Sequence, residues 1–156
     1  MTQWIRYTLP AAAIITAAWP AYAVRYLSIE EAQKQAFPQA HFTELQAGRV
    51  WKAEAGGKVA GFFVFDRVIG KHLYIDYAVA LTPSGAVHSV EILEYRESYG
   101  GDVRSPSWLS QFIGKTSASP LKINGDIRNI SGATLSSTHI TEGVKRILAT
   151  YGGRLK

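Results

Sequence analysis

The fold of this chain is organised around one hydroxyl-rich stretch near its C-terminus, Ser131-Gly132-Ala133-Thr134-Leu135-Ser136-Ser137-Thr138. The residues that follow carry apolar side chains three or four positions apart, a spacing that predicts an amphipathic helix. These apolar residues are Ile140, Val144, Ile147, Leu148 and Tyr151. Ser136, Ser137 or Thr138 is a suitable N-cap for that helix. Because free N–H groups and the helix dipole both favour anions at such a start, the turn is a candidate phosphate site.

The residue types alone leave two interpretations of this stretch open. Clusters of Ser, Thr and Gly before helices are common, and an ordinary capped helix after a tight turn explains the spacing. The second interpretation is an anion-binding turn, in which Gly132 takes a positive φ and lets a ligand approach the backbone closely. Spacing by itself favours the ordinary cap.

A resemblance to a known family favours the second interpretation. Ser-Gly-Ala-Thr followed by Leu-Ser-Ser resembles the flavinylation motif of the FMN-binding domain family, which includes the NqrC and RnfG subunits of the sodium-pumping NADH:quinone oxidoreductase and Rnf complexes. In that family the motif threonine carries FMN through a phosphoester bond, which a dedicated FMN transferase forms from FAD. The resemblance implies that Thr134 is the site of covalent FMN attachment and that Asp126, across a longer gap, corresponds to the acidic residue that opens the motif. It also implies that Ser131, Gly132, Ala133 and Leu135 shape the loop and that Ser136 and Ser137 hydrogen-bond the phosphate.

A second stretch, Glu97-Ser98-Tyr99-Gly100-Gly101, follows an expected strand. Two adjacent glycines let backbone approach a planar ligand, and Tyr99 is able to stack on one, although a plain strand-to-helix turn explains the same residues. The stretch resembles the family's Glu-Thr-Pro-Gly-Leu-Gly loop, which lies against the flavin, but it lacks the Pro and Leu. The resemblance implies contact with the flavin ring from Glu97, Ser98, Tyr99 and Gly100.

A short helix is predicted after this loop, and the family has a similar one. Ser105 is its cap, Pro106 occupies its first position and Gly114 ends it. Lys115 is expected to be solvated, with anion binding as the alternative. The apolar residues expected in the core are Trp108, Phe112 and Ile113.

The N-terminal half predicts one helix and a sheet. Ser28 and Glu31 form a capping box, which predicts a helix that ends near Phe37, before Pro38, with Ile29, Ala32 and Phe37 facing inward. Between residues 42 and 95 the apolar period changes to two, and Gly56-Gly57 is typical of a two-residue hairpin turn.

The remaining strand predictions follow from alternation. Residues 73–81 alternate as a strand buried on one side, and residues 87–95 form the next strand, with Val90 and Ile92 inward. Residues 121–123 are a candidate short strand before an Asn-Gly turn. The fold class is therefore α+β, with an antiparallel meander of about four strands packed against a few helices. The aromatic residues of the meander are expected in the sheet core rather than in a cofactor site.

Residues 1–23 have the layout of a secretory signal peptide. A positive start with Arg6 precedes an apolar run from Leu9 to Trp19, and small residues precede an expected cleavage after Ala23. An N-terminal membrane anchor is the alternative, although the run is short and Pro10 interrupts it. Residues 24–156 are then a single exported FMN-binding domain.

Composition excludes several functional classes. The net charge is +5, but no cluster of Lys or Arg is present, which argues against nucleic-acid binding. Without cysteine the chain has no disulfide, no iron–sulfur ligand and no c-type haem attachment. The four histidines are scattered, so no metal site is expected. No nucleophile–base pair is legible, which favours a carrier or subunit over a stand-alone enzyme.

These inferences lead to one functional interpretation with two alternatives. The chain is expected to be an electron-transfer flavoprotein at the periplasmic or extracytoplasmic face of a membrane, with FMN covalently bound at Thr134. Its expected partners are the FAD-dependent FMN transferase and membrane or periplasmic redox proteins. The alternatives are a periplasmic module that binds FMN or another phospho-ligand non-covalently, and a subunit of a membrane complex that has no redox role.

Overall fold

A computed structural model of the chain describes residues 23–156. The expected signal peptide or anchor lies outside these residues, apart from Ala23, and stays a prediction. Within residues 23–156, no helix is both long enough and apolar enough to cross a membrane.

One antiparallel sheet of six strands forms the centre of the domain, in the order β1-β6-β5-β4-β3-β2. The strands are β1 (Val24–Arg25), β2 (His41–Gln46), β3 (Val50–Ala55), β4 (Lys58–Ile69), β5 (Tyr74–Leu81) and β6 (Val87–Tyr95). The helices are α1 (Ile29–Ala36), α2 (Pro106–Leu109) and α3 (Thr134–Tyr151), with 3₁₀ turns at Gly101–Arg104 and Ser110–Phe112. The predicted α+β class is confirmed, and the meander has five strands rather than about four, with β1 added at the β6 edge.

Local sequence signals account for several of these elements. Gly56 and Gly57 have φ values of +58° and +73°, which the tight β3–β4 turn requires and glycine adopts without strain. The Ser28 hydroxyl accepts from the Glu31 N–H at 3.1 Å, while the Glu31 carboxylate accepts from the Ser28 N–H at 2.7 Å. Both the predicted hairpin and the predicted capping box are therefore confirmed.

Helices cover both faces of the sheet. On one face the buried side of α3, including Ile140, Val144 and Ile147, packs on β4–β6. On the other face α1 packs against small residues of β5, Ala78 and Ala80. The expectation that β5 is buried on one side only is wrong, because its alanines are small enough to pack beneath a helix.

A buried ion and hydrogen-bond cluster fixes α3 against the sheet. The Asp66 carboxylate accepts from the Tyr77 hydroxyl at 2.9 Å, from Arg49 at 3.1 Å and from Arg146 of α3 at 2.6 Å. Burial and the Asp66 charge raise the pKa of Tyr77, so the phenol stays protonated and donates. A Cβ on Gly143 would lie 2.2 Å from the Tyr77 hydroxyl, so only glycine lets α3 approach this closely. Contacts at Gly143 and Arg146 therefore fix the second half of α3 against the sheet.

The segment between α2 and α3 differs from the sequence prediction. Residues 121–123 do not form a strand, and only an isolated bridge joins Ile123 to Ile127. The segment is held instead by Asp126, whose carboxylate accepts from the N–H groups of Leu121 and Lys122 and from the Lys115 ammonium at 2.9 Å. Lys115 is therefore paired rather than solvated.

The short helix after the glycine loop is present, with Pro106 at its first position, and Trp108 and Phe112 are buried as expected. Ile113 is 57% exposed, because the chain leaves the 3₁₀ turn there and directs the side chain outward. The prediction that Ile113 lies in the core is wrong.

Candidate functional site

A cavity of 490 Å³ lies where three chain segments meet: the β4–β5 turn, the loop after β6 and the start of α3. Its lining residues are Lys71, His72, Glu97, Ser98, Tyr99, Gly100, Gly132, Ala133, Thr134, Leu135 and Ser136. The volume falls within the range of small-molecule sites, roughly 300–1,000 Å³. The fold thus brings together two stretches that are about thirty residues apart in sequence. Of the site residues expected from sequence, Ser131 and Ser137 lie outside this lining.

Helix α3 begins at the predicted attachment residue itself. Thr134 is the first helical residue and Ala133 is the N-cap, and no side chain of residues 23–156 caps this end. The predicted cap at Ser136, Ser137 or Thr138 is wrong, because all three lie inside the helix. The first-turn N–H groups of a helix have no intrahelical acceptors, so they and the positive end of the dipole are available to an anion.

The side chain of Thr134 is exposed, as is Gly132 before it. Gly132 has a φ of +82°, and a Cβ at this position would meet no atom of the described residues within 4 Å. Glycine here serves the turn conformation and leaves open space beside the threonine. A second macromolecule can therefore reach the Thr134 hydroxyl.

Gly100 brings the loop after β6 into contact with the start of α3. Its φ is +87°, and a Cβ there would lie 2.6 Å from the Tyr95 hydroxyl and 3.3 Å from the Ala133 Cβ. The Tyr95 hydroxyl donates to the Tyr99 carbonyl and lies 3.1 Å from the Ser136 Oγ. Burial raises the pKa of Tyr95, which keeps this donor protonated, although the Ser136 hydrogen bond opposes the shift. The Tyr95 hydroxyl therefore connects the loop after β6 to the start of α3.

Glu97 connects the third segment. Its carboxylate accepts from the His72 N–H and, at 2.7 Å, from the Leu73 N–H. Burial alone would raise the pKa of Glu97, but these backbone hydrogen bonds outweigh it and the pKa is lowered. A Cβ on Gly70 would lie 2.9 Å from the Glu97 Cγ, so glycine allows the close approach. Glu97 is therefore an ionised group that fastens the β4–β5 turn to the end of β6.

Sequence reasoning missed two lining residues, Lys71 and His72. Both are exposed residues of the β4–β5 turn, and His139 of α3 holds that turn by donating from Nδ1 to the carbonyls of Ile69 at 2.6 Å and Gly70 at 3.0 Å. No local motif marks them, because only the tertiary fold carries this turn to the cavity. The Lys71 ammonium adds a positive charge that suits an anionic ligand.

Asn129 is a third residue that the sequence did not single out. Its Nδ2 donates to the Thr134 Oγ1 at 3.2 Å. Its Oδ1 accepts from the Ile130 N–H and the Ser137 hydroxyl, each at 2.9 Å. Asp126 lies instead in the Lys115 pair, which together with the backbone donors lowers its pKa to about 2. The side chain beside the threonine hydroxyl is thus a neutral amide.

Two further observations bear on ligand chemistry. Tyr99 and Leu135 at the edge of the cavity are 86% and 47% exposed, so apolar surface is available to cover a planar ligand. Among residues 23–156, no three His, Cys, Asp or Glu side chains form a group able to hold a metal ion.

Comparisons with known proteins agree with this geometry. The crystal structure of Shewanella oneidensis NqrC is similar to this chain with a TM-score of 0.51 and 22% identity, which shows a shared fold. The similarity covers 62% of this chain and 52% of the NqrC chain, so the chain matches about half the length of that structure. Comparison with curated protein sequences gives no significant match.

The family comparison is more specific. The FMN-binding domain matches residues 70–149, about half of the chain, and this range contains all the residues that line the cavity. The resemblance inferred from the two sequence stretches is confirmed, and the chain belongs to the FMN-binding domain family.

Proposed function

We propose that this chain is an exported electron-transfer flavoprotein that carries FMN as a phosphoester of Thr134. One observation carries the proposal: an exposed threonine at the uncapped start of α3 lines a cavity of 490 Å³ together with the glycine loop after β6. Family membership supports the cofactor, and the fold shared with NqrC supports the role of a subunit or carrier in a membrane-associated redox chain.

The residues of the cavity fit both parts of FMN. The first-turn N–H groups of α3 suit a phosphate, and Lys71 adds a positive charge to the lining. Tyr99 supplies an exposed aromatic face for a flat ring, while Gly100 lets the loop pack against the start of α3. Ser136 is already engaged with Tyr95, so its hydroxyl reaches a phosphate only if that contact is shared.

The attachment reaction transfers the FMN phosphoryl group from FAD to the Thr134 hydroxyl. The Thr134 Oγ1 forms a bond to the phosphorus of the FMN half of FAD, the bond from that phosphorus to the AMP half breaks, and AMP leaves. The hydroxyl proton passes to a base of the FMN transferase. The product keeps one negative charge, which the positive end of α3 stabilises by about 0.3–1 kcal/mol.

The chemistry of electron transfer belongs to the cofactor. Bound FMN accepts two electrons and releases them singly, which joins two-electron donors to one-electron partners. The chain contributes attachment at Thr134 and a cavity lined by the glycine loop, the β4–β5 turn and the start of α3, with the Tyr99 and Leu135 side chains exposed at its edge. The proposed partners are therefore the FMN transferase and periplasmic or membrane redox proteins.

Covalent attachment is useful for a chain that is exported. If residues 1–23 direct the chain out of the cytoplasm, or anchor it outside, a non-covalently bound cofactor is free to leave domain 24–156 there. A phosphoester then prevents loss of the cofactor by dissociation. An experiment that fuses residues 1–23 to a reporter active only after export tests this part separately.

Co-expression of the chain with an FMN transferase tests the proposed function. We expect the intact mass to rise by one FMN phosphoryl unit and the yellow colour to stay with the protein after denaturation and gel filtration. Thr134→Ala should abolish the mass increase, while Thr134→Ser, which keeps a hydroxyl, should retain it. Colour that leaves on denaturation would support the non-covalent alternative, and unmodified wild-type protein would contradict the proposal.

A further inference from the structure

We infer that Asn129 positions the Thr134 hydroxyl for attachment of the flavin phosphate, an inference that rests on the proposed function. The Asn129 amide is half-buried directly beside the threonine, and its Nδ2 lies 3.2 Å from the Thr134 Oγ1. No sequence motif assigns a role to this residue. The inference depends on which way its amide faces, on what holds it there and on what it does to the hydroxyl.

The orientation of the Asn129 amide follows from its neighbours. The Ile130 N–H donates to the Oδ1 at 2.9 Å, and the Ser137 Oγ lies 2.9 Å from the same atom. The backbone N–H only donates, and it identifies this atom as the oxygen, because an NH₂ group accepts no hydrogen bond. The atom that faces Thr134 is therefore the NH₂ group, which only donates.

Ser137 holds the amide in this orientation. It is fully buried, and its Oγ also lies 3.0 Å from the Ala133 carbonyl and 3.1 Å from the Thr134 carbonyl. Its hydroxyl is directed at the helix start and Asn129, not at the cavity. Ser137 therefore supports Asn129 from behind, a different role from the phosphate contact expected from sequence.

The donated hydrogen bond prepares Thr134 for reaction. The Thr134 Oγ1 accepts from Nδ2, so its own hydrogen points elsewhere and is open to a base of the transferase. The same N–H stabilises negative charge as it develops on the oxygen, and a fixed donor costs no reorganisation at that moment. The hydrogen bond also restricts the side-chain rotamer of a residue that is otherwise exposed.

An acidic side chain at this place would act differently. A carboxylate only accepts hydrogen bonds, and its charge would repel the phosphates of FAD. Asp126, the acidic residue suggested by the family motif, lies with Lys115 and the N–H groups of Leu121 and Lys122. In this chain the group next to the reacting hydroxyl is thus the donor Asn129.

Saturation kinetics of FMN incorporation, followed by intact mass with purified transferase and FAD, test the inference. Asn129→Asp keeps an oxygen facing Ile130 and Ser137 but replaces the donor with a negatively charged acceptor, and Asn129→Ala removes the whole amide without adding a charge. For both variants we expect the kcat of modification to fall by about tenfold or more, with the KM for the protein substrate within about twofold of wild type. Asn124→Gly is the matched control, because Asn124 lies outside the cavity at a φ of +60° that glycine accepts.

Each outcome is decisive. Lower kcat with unchanged KM and unchanged melting temperature supports a positioning role. A kcat at or above wild type in Asn129→Asp would overturn the inference, as would a higher KM or a lower melting temperature with kcat unchanged. If wild-type protein is itself never modified, the proposed function fails and this inference fails with it, whereas normal modification of both variants overturns this inference alone.

Discussion

The Tyr95 hydroxyl lies 3.1 Å from the Ser136 Oγ and also donates to the Tyr99 carbonyl, so one phenol at the end of β6 connects the glycine loop to α3. Neither stretch forms a cavity alone. The loop supplies one wall and the helix start supplies the other, and the separation between them is set by this buried side chain, which is 4% exposed.

Tyr95→Phe should loosen that connection. The variant keeps the ring but leaves Ser136 and the Tyr99 carbonyl without their partner, which should lower the free energy of unfolding by about 1–2 kcal/mol. FMN incorporation should also slow. Urea unfolding and intact mass measure the two effects. Tyr74→Phe is the control, since Tyr74 is 48% exposed and outside the cavity, and equal losses in both variants would contradict the connecting role.

Alanine substitutions at the adjacent Gly100 and Gly101 test whether the loop must approach α3 closely. Gly100→Ala places a Cβ 2.6 Å from the Tyr95 hydroxyl at a φ of +87°, and should destabilise the domain by about 2 kcal/mol or more. Gly101→Ala meets no atom of the described residues within 4 Å and should be nearly neutral. The two variants are compared by their melting temperatures and by their flavin content. A stable, fully flavinylated Gly100→Ala protein would show that the close approach is unnecessary.

The Asp66 cluster should dominate the anchoring of α3. Asp66→Ala leaves Tyr77, Arg49 and Arg146 without their shared acceptor and should cost about 3 kcal/mol. Arg25→Ala, which breaks an exposed contact with Glu94 at 3.7 Å, should cost less than about 0.5 kcal/mol. Chemical denaturation measures both. Similar costs would mean that burial of the Asp66 carboxylate adds nothing.

We expect the Asp126 carboxylate to stabilise the fold, and this contribution should be lost in acid. Lys115 and two backbone N–H groups lower its folded-state pKa to about 2, below the ordinary value of about 3.9. Because the folded pKa is the lower one, the stabilisation is complete above about pH 4 and disappears as the pH falls towards 2. The stability difference between wild type and Asp126→Asn should therefore narrow over that window. A difference independent of pH would exclude the Lys115–Asp126 pair as its source.

The sequence predicts well where a local signal decides the structure. The capping box of α1, the Gly56-Gly57 turn and the strand Val87–Tyr95 depend on residues close together in the chain, and all three are as expected. The inward face of α3 follows likewise from its spacing. Each of these features is fixed before distant parts of the chain meet.

The remaining differences arise from contacts that no sequence pattern marks. Helix α3 begins earlier than the predicted cap because Ser137 lies inside its first turns, with its Oγ beside the Ala133 and Thr134 carbonyls. Ala78 and Ala80 read as an exposed face until α1 covers them. Lys71 joins the site only through the fold, whereas Asn129 lies five residues before Thr134 but belongs to no pattern that marks a ligand.

The most direct test of the central claim is the location of the flavin on the chain. Trypsin cleaves after Arg128 and Lys145, which isolates Thr134 in the peptide of residues 129–145. After co-expression with an FMN transferase, we predict that tandem mass spectrometry finds this peptide carrying one FMN on Thr134. The same peptide recovered only in unmodified form, with transferase and FAD abundant, would contradict the account.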